Sequence, residues 1–237
     1  MSTTLEGTPN PEAPNPQLPI VQKLRVRYAK RGRLRFTSHR DFGRAFERAI
    51  RRAGIPIGYS SGFTPHPKIS YANAAPTGAA SEAEFLEIGL VRECDPETVR
   101  ASLDAALPPG LDVVAVVPAS PGTFADRLEA SWWRIELAGA TGLDAAAAAF
   151  LAAEDVTVER MTKRGLRDID VRGAVVSLTV EGEGIDVVVR STIPTVRPDD
   201  VVNALRHLGA AVPGAPVATR REQGPLADGV VTDPLDG

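Results

Sequence analysis

The segment from Ser38 to Ala53 constrains the fold more than any other part of the chain. Ser38 is suited to cap a helix, Asp41 follows three residues on, and Gly54 with Pro56 supplies the stop. At about 100° per residue, Phe42, Ala45, Phe46, Ala49, Ile50 and Ala53 share one face of that helix. Arg40, Arg44, Arg48, Arg51 and Arg52 share the other. A helix with one apolar stripe must lie against a second layer, so the chain is expected to build a packed two-layer domain with this helix on its outside.

The same region dominates the charge. Between Val21 and Ala72 stand thirteen Lys and Arg against only Asp41 and Glu47, a local charge of +11 in a protein whose net charge is −3. The rest of the chain is therefore strongly acidic. Clustered arginine attracts polyanions, which makes RNA or DNA the leading ligand class. The competing reading is a solvated face that only keeps a helix and its neighbouring strands soluble.

Alternation of apolar and basic residues predicts a hairpin of Leu24–Tyr28 with Leu34–Phe36 around Lys30-Arg31-Gly32. Strands follow at Ile69–Tyr71 and Phe85–Val91, then a helix from Pro96 to Leu107 and a strand from Leu111 to Val117. The second half offers strands at Trp132–Leu137 and Val156–Met161, a hairpin of Ala174–Val180 with Ile185–Arg190, and helices at Leu143–Ala153 and Pro198–Leu208. The expected class is α+β: two ferredoxin-like (βαββαβ) units in tandem, with antiparallel sheets and helices packed on one face. A final strand for the second unit has only Ala215–Thr219 to draw on, and a single larger α+β sheet is the alternative. The expected divisions are a disordered Pro-rich leader over 1–20, a basic domain over 21–125, a second domain over 126–212 and a flexible tail over 213–237.

One cysteine, Cys94, excludes an intrachain disulfide and any cluster or zinc site that needs several thiolates from this chain. No run approaches the roughly 18 apolar residues of a membrane span, and the first residues carry no signal-peptide pattern, so a cytoplasmic protein without membrane partners is expected. No cofactor is expected.

The segment Phe36–Leu90 carries the most specific pattern: Ser38-His39, Asp41, Arg44, Arg51-Arg52-Ala53-Gly54, Tyr59-Ser60, Gly62-Phe63, Pro65, Pro67, and Ser81 with Glu84. In these residues it resembles a radical-SAM-associated domain family of unknown function, found fused behind radical SAM modules in many bacteria and as a stand-alone protein in others. It departs from that pattern at Arg40, where leucine is common, and at Ser61, where glutamine is usual. The resemblance implies a link to RNA modification or RNA processing, with a radical SAM enzyme or an E/G-class ribonuclease as partner. Radical SAM chemistry itself would have to come from the partner, because its cluster needs three cysteines.

For RNA binding, the candidate contacts are Arg25, Arg27, Arg35, Arg40, Arg44, Arg48 and Arg52 on phosphates. Ser38 and His39 stand at a helix start, where free N–H groups favour an anion. The loop with Tyr59, Ser60, Phe63, His66 and Lys68 mixes aromatic faces with donors, which suits stacked single-stranded bases. Asp41, Ser81 and Glu84 are expected behind these groups as supporting contacts or ion pairs. Two further readings stay open: metal-independent ribonuclease chemistry with His39 and His66 as base and acid, and a protein-interaction scaffold whose basic face meets an acidic partner. A metal site of His39, His66 and Glu82 or Glu84 lacks the short fixed ligand spacing of zinc motifs.

Overall fold

The computed structural model describes residues 18–61, 64–162 and 165–236. The first seventeen residues of the expected leader lie outside this range, as does Phe63 of the candidate loop. Ile20, at the leader's end, packs its side chain over Gly58 and Gly89.

The first half runs β1 (Gln22–Lys30), α1 (His39–Arg52), β2 (Ile69–Ala72), β3 (Ala80–Leu90), α2 (Pro96–Ala106) and β4 (Leu111–Pro118). Helix α1 begins and ends where its signals place it. The Ser38 hydroxyl oxygen accepts from the Asp41 N–H at 3.2 Å and donates to the Asp41 carboxylate at 2.7 Å. Asp95 does the same work for α2, ahead of Pro96. Strand β1 pairs antiparallel with β3 on one side and β4 on the other, while β2 pairs with Phe85–Ile88 on the far edge of β3.

The expected hairpin of Leu24–Tyr28 with Leu34–Phe36 does not form. β1 has both edges taken by β3 and β4, and Gly32–Phe36 winds into a 3-10 helix after the Arg31 N–H bonds to the Gly110 carbonyl at 2.8 Å. Gly32 takes φ +54°, which turns the chain off the sheet edge. β3 also begins earlier than the expected Phe85, because Ala80–Glu84 belong to it.

The second half contains β5 (Ala130–Glu136), α3 (Leu143–Ala152), β6 (Thr157–Thr162), β7 (Gly165–Asp170), β8 (Val175–Val180), β9 (Gly184–Arg190), α4 (Pro198–His207) and β10 (Val217–Gly224). β6 does not enter the main sheet; it pairs only with β7, an element its mostly polar sequence had hidden. The segment expected as a flexible tail is corrected by β10, which pairs antiparallel with the whole of β5. Its alternation of exposed and buried positions is carried by Ala218, Arg220 and Gln223 instead of large aliphatic residues, so apolar periodicity missed it. Two short strands, β11 (Leu226–Ala227) and β12 (Val230–Val231), complete the chain.

The main sheet is continuous, in the order β4-β1-β3-β10-β5-β9-β8, with β2 added on β3. Thr219 and Arg220 of β10 bridge in parallel to Ala80 and Ser81 of β3, and every other pairing is antiparallel. The described residues thus form a mixed α+β structure with a mostly antiparallel sheet and four α-helices.

Two apolar cores lie beneath the helices. Phe42, Phe46 and Ile50 of α1 and Leu103 of α2 pack on Leu24, Val26, Leu86 and Ile88. Phe150 of α3 and Val201 and Leu205 of α4 pack on Ile135, Ile185 and Val187. A smaller cluster of Phe85, Phe124 and Leu128 covers part of the opposite face of β3.

Candidate nucleic-acid interface

Packing of the apolar stripe of α1 leaves its arginines in solvent. Arg40, Arg44, Arg48, Arg51 and Arg52 are all exposed, and among the described residues no carboxylate pairs with Arg40, Arg44, Arg48 or Arg51. Arg52 donates to the Ala106 carbonyl at 3.2 Å, closing an open end of α2. Two acids on this helix stand against its five arginines: Asp41, whose carboxylate accepts from the Ser38 hydroxyl, and Glu47, half-buried on the flank near Tyr71, so the helix keeps a net positive charge. Just before the helix, the Arg35 guanidinium lies 4.7 Å from the centroid of Phe36, a ring that is 59% exposed.

Arg25 and Arg27 are corrected. Alternation along β1 turns them to the face opposite the helices, where they are interior groups and not an external track. Arg25 is 1% exposed, donates to Ser120, lies 3.7 Å from the Glu87 carboxylate and sits over the Phe124 ring. Arg27 pairs with Glu222 at 2.8 Å and Asp233 at 3.0 Å, both from the end of the chain. Arg31 is likewise held by Glu82 and Asp112. Part of the charge excess read from sequence is therefore neutralised inside the protein.

The Tyr59–Lys68 loop is clamped at its base. The Gly58 N–H donates to the Gly89 carbonyl and the Lys68 N–H to the Gly58 carbonyl, each at 2.8 Å, and Tyr59 bridges to Pro67. A β-carbon on Gly58 would stand 2.2 Å from Ile20 Cδ1, so glycine permits this close approach. The Ser60 hydroxyl accepts from the His66 N–H at 2.9 Å and is occupied in closing the loop. Tyr59 leans on the apolar core, leaving His66 and Lys68 exposed.

His39 is exposed at the first turn of α1, edge-on to Tyr71 of β2 with ring centroids 4.8 Å apart. Burial, with a smaller contribution from Glu47, pushes the Tyr71 phenol up to about 12. Among the described residues no hydrogen bond or ring contact joins His39 to His66. Nor is any group of three or more His, Cys, Asp and Glu gathered among them in a way that could hold a metal ion.

Ser81 and Glu84 belong to a buried polar junction. Glu84 is 2% exposed; its carboxylate pairs with Arg220 and accepts from the Ala75 N–H at 3.1 Å. Arg220 also donates to the Asn73 carbonyl at 2.8 Å and the Gln223 side chain at 3.2 Å, and its guanidinium lies over the Trp133 ring. Gln223 in turn donates to the Ala83 carbonyl at 2.7 Å. Burial, then the Glu84 charge, raises the Tyr28 phenol well above its ordinary range, and burial lowers the ammonium of nearby Lys30. Arg220 and Gln223 lie in the stretch the sequence predicts as a flexible tail, so sequence alone does not single them out. The adjacent pair Trp132-Trp133 was the available signal: Trp133 is buried under Arg220, while Trp132 faces outward and donates to Asp186 at 3.0 Å.

An α+β sheet protein with a cationic helix on its outer layer is the class these features define. The sequence model of the family described as "uncharacterized protein conserved in bacteria" (DUF2344) matches residues 23–198, and the chain belongs to that family. The match spans α1, the Tyr59–Lys68 loop and Glu84. No curated protein matches the chain. No helix among the described residues is long and apolar enough to cross a membrane.

Proposed function

We propose that this protein is an RNA-binding accessory factor that presents RNA to a modifying or processing enzyme in the cytoplasm. The observation that carries this reading is the set of exposed arginines on α1, four of which have no internal counter-charge among the described residues. Arg40, Arg44 and Arg48 follow one another at one-turn intervals, about 6 Å apart, close to the spacing of successive phosphates in an extended single strand. Arg35, Phe36, His66 and Lys68 add an exposed aromatic face and further donors to that grip.

The order β4-β1-β3-β2 in the first half and β10-β5-β9-β8 in the second supports reading each half as a ferredoxin-like unit, with β6-β7 inserted in the second. The motif in Phe36–Leu90 supports a counterpart of the domain fused behind radical SAM modules, with a radical SAM enzyme or an E/G-class ribonuclease as the partner that acts on the RNA.

The test is the salt dependence of binding to a single-stranded RNA. The logarithm of affinity is expected to fall with the logarithm of salt by about 0.7 per phosphate neutralised, and R44E/R48E is expected to lower that slope by about 1 to 2 while weakening binding at least tenfold. Unchanged affinity and slope in the folded double variant would remove the reading.

A further inference from the structure

Between the two halves lies a cavity of about 400 Å³ with no residue of α1 in its lining, closed by the β9–α4 segment on one side and by β5 and β10 on another. None of its lining residues is Asp or Glu, although the protein as a whole is acidic. Three arginines reach it: Arg190, Arg197 and Arg220. Arg220 is balanced by Glu84, but Arg190 and Arg197 are exposed and have no carboxylate or carbonyl partner for their guanidinium groups among the described residues. Two uncompensated guanidinium groups at one small cavity constitute a site for an anion, and their planar, multi-donor geometry suits phosphate oxygens.

The hydroxyls around the cavity narrow the ligand further. Ser191 donates its proton to the Leu128 carbonyl at 2.6 Å, Thr192 to the Pro194 carbonyl at 2.8 Å and Thr195 to the Thr192 carbonyl at 3.3 Å. These three hydroxyls are left with lone pairs and no proton to give, so they act as acceptors, while Ser131 adds a fourth hydroxyl to the lining. A ligand that fits both sets of groups carries an anionic end for the arginines and hydroxyl or amino donors elsewhere. Apolar wall is supplied by Leu128, Val189 and Val196. The volume is in the range of sites for small molecules and is too small for a folded macromolecule.

We infer that this cavity binds a phosphomonoester bearing hydroxyl or amino donors, of nucleoside-monophosphate size, with the phosphate on Arg190 and Arg197. The site is separate from the α1 face and stands or falls independently of RNA binding there.

Calorimetric titration of the full chain with AMP, ribose 5-phosphate, adenosine and inorganic phosphate tests it. AMP or ribose 5-phosphate is expected to bind at least tenfold more tightly than adenosine or inorganic phosphate. The former result assigns the base to the site, the latter the sugar phosphate alone, and either supports the class. R190A/R197A is expected to weaken that binding by roughly tenfold or more per arginine, with an unfolding midpoint equal to that of the unmodified protein. No detectable binding at millimolar ligand, inorganic phosphate binding as tightly as both esters, or equal ester affinity in the double variant would each overturn the assignment. The first two need no variant and hold even if the substituted protein fails to fold.

Discussion

Arginine has opposite fates in two regions of this molecule. In the sheet, Arg25, Arg27 and Arg220 are drawn inward and met by Glu87, by Glu222 with Asp233, and by Glu84. On α1, Arg40, Arg44 and Arg48 stay in solvent with no acid set against them among the described residues. Residue type and local density are alike in the two places, and secondary structure makes the difference. Side chains along β1 alternate between two covered faces and Arg220 turns to the covered side of β10, whereas a helix that packs by one stripe leaves the other wet. Net charge over a window of sequence therefore overstates what a ligand meets, and here the surplus on the helix is the part that survives folding.

The comparison makes graded predictions for stability, measured by urea unfolding. The largest effect is expected at the buried pair: Arg220→Ala strands the Glu84 carboxylate and should cost about 3–5 kcal/mol, while R220M/E84Q should recover much of that loss. A cost below about 1 kcal/mol for Arg220→Ala would mean that water reaches Glu84 and that the two regions are less different than they look. Next in size is Ser38→Ala, which removes the hydroxyl cap of the helix that displays the exposed set, at about 1 kcal/mol. Smallest is R44A/R48A, expected to change stability by no more than about 0.5 kcal/mol. A larger loss would show that the exposed arginines do structural work and would weaken their assignment to a ligand.

Helix α1 was legible from sequence almost to the residue, because cap, stripe and stop signals lie within one contiguous stretch. α2, α3 and α4 were legible as well, with Pro96 and Pro198 at the first turns of α2 and α4. Strand pairing was not. The hairpin expected for β1 had suitable local alternation, but its partners are decided by β3 and β4, more than fifty residues further along. β10 escaped for a related reason: its inward positions are Arg220 and Gln223, whose burial makes sense only once Glu84, Ser81 and the Ala83 carbonyl stand opposite them. Within the candidate interface, the exposed arginines of α1 followed from helical geometry, and the inward turn of Arg25 and Arg27 needed knowledge of which face of β1 is covered by Phe124 and Phe85.

The insertion of β10 between β3 and β5 has a bearing on how the chain is made. Synthesis runs from the amino end, so β1, β3 and β4 emerge and can associate long before the residue that neutralises Glu84 exists. Until about residue 224 has left the ribosome, the Ala80–Ser81 end of β3 lacks its neighbour, β5 lacks its partner on that side, and the Glu84 carboxylate, destined for the interior, lacks its counter-charge. Closure of the sheet thus waits for β10, and a ribosome stalled within that strand would release a product with two open seams.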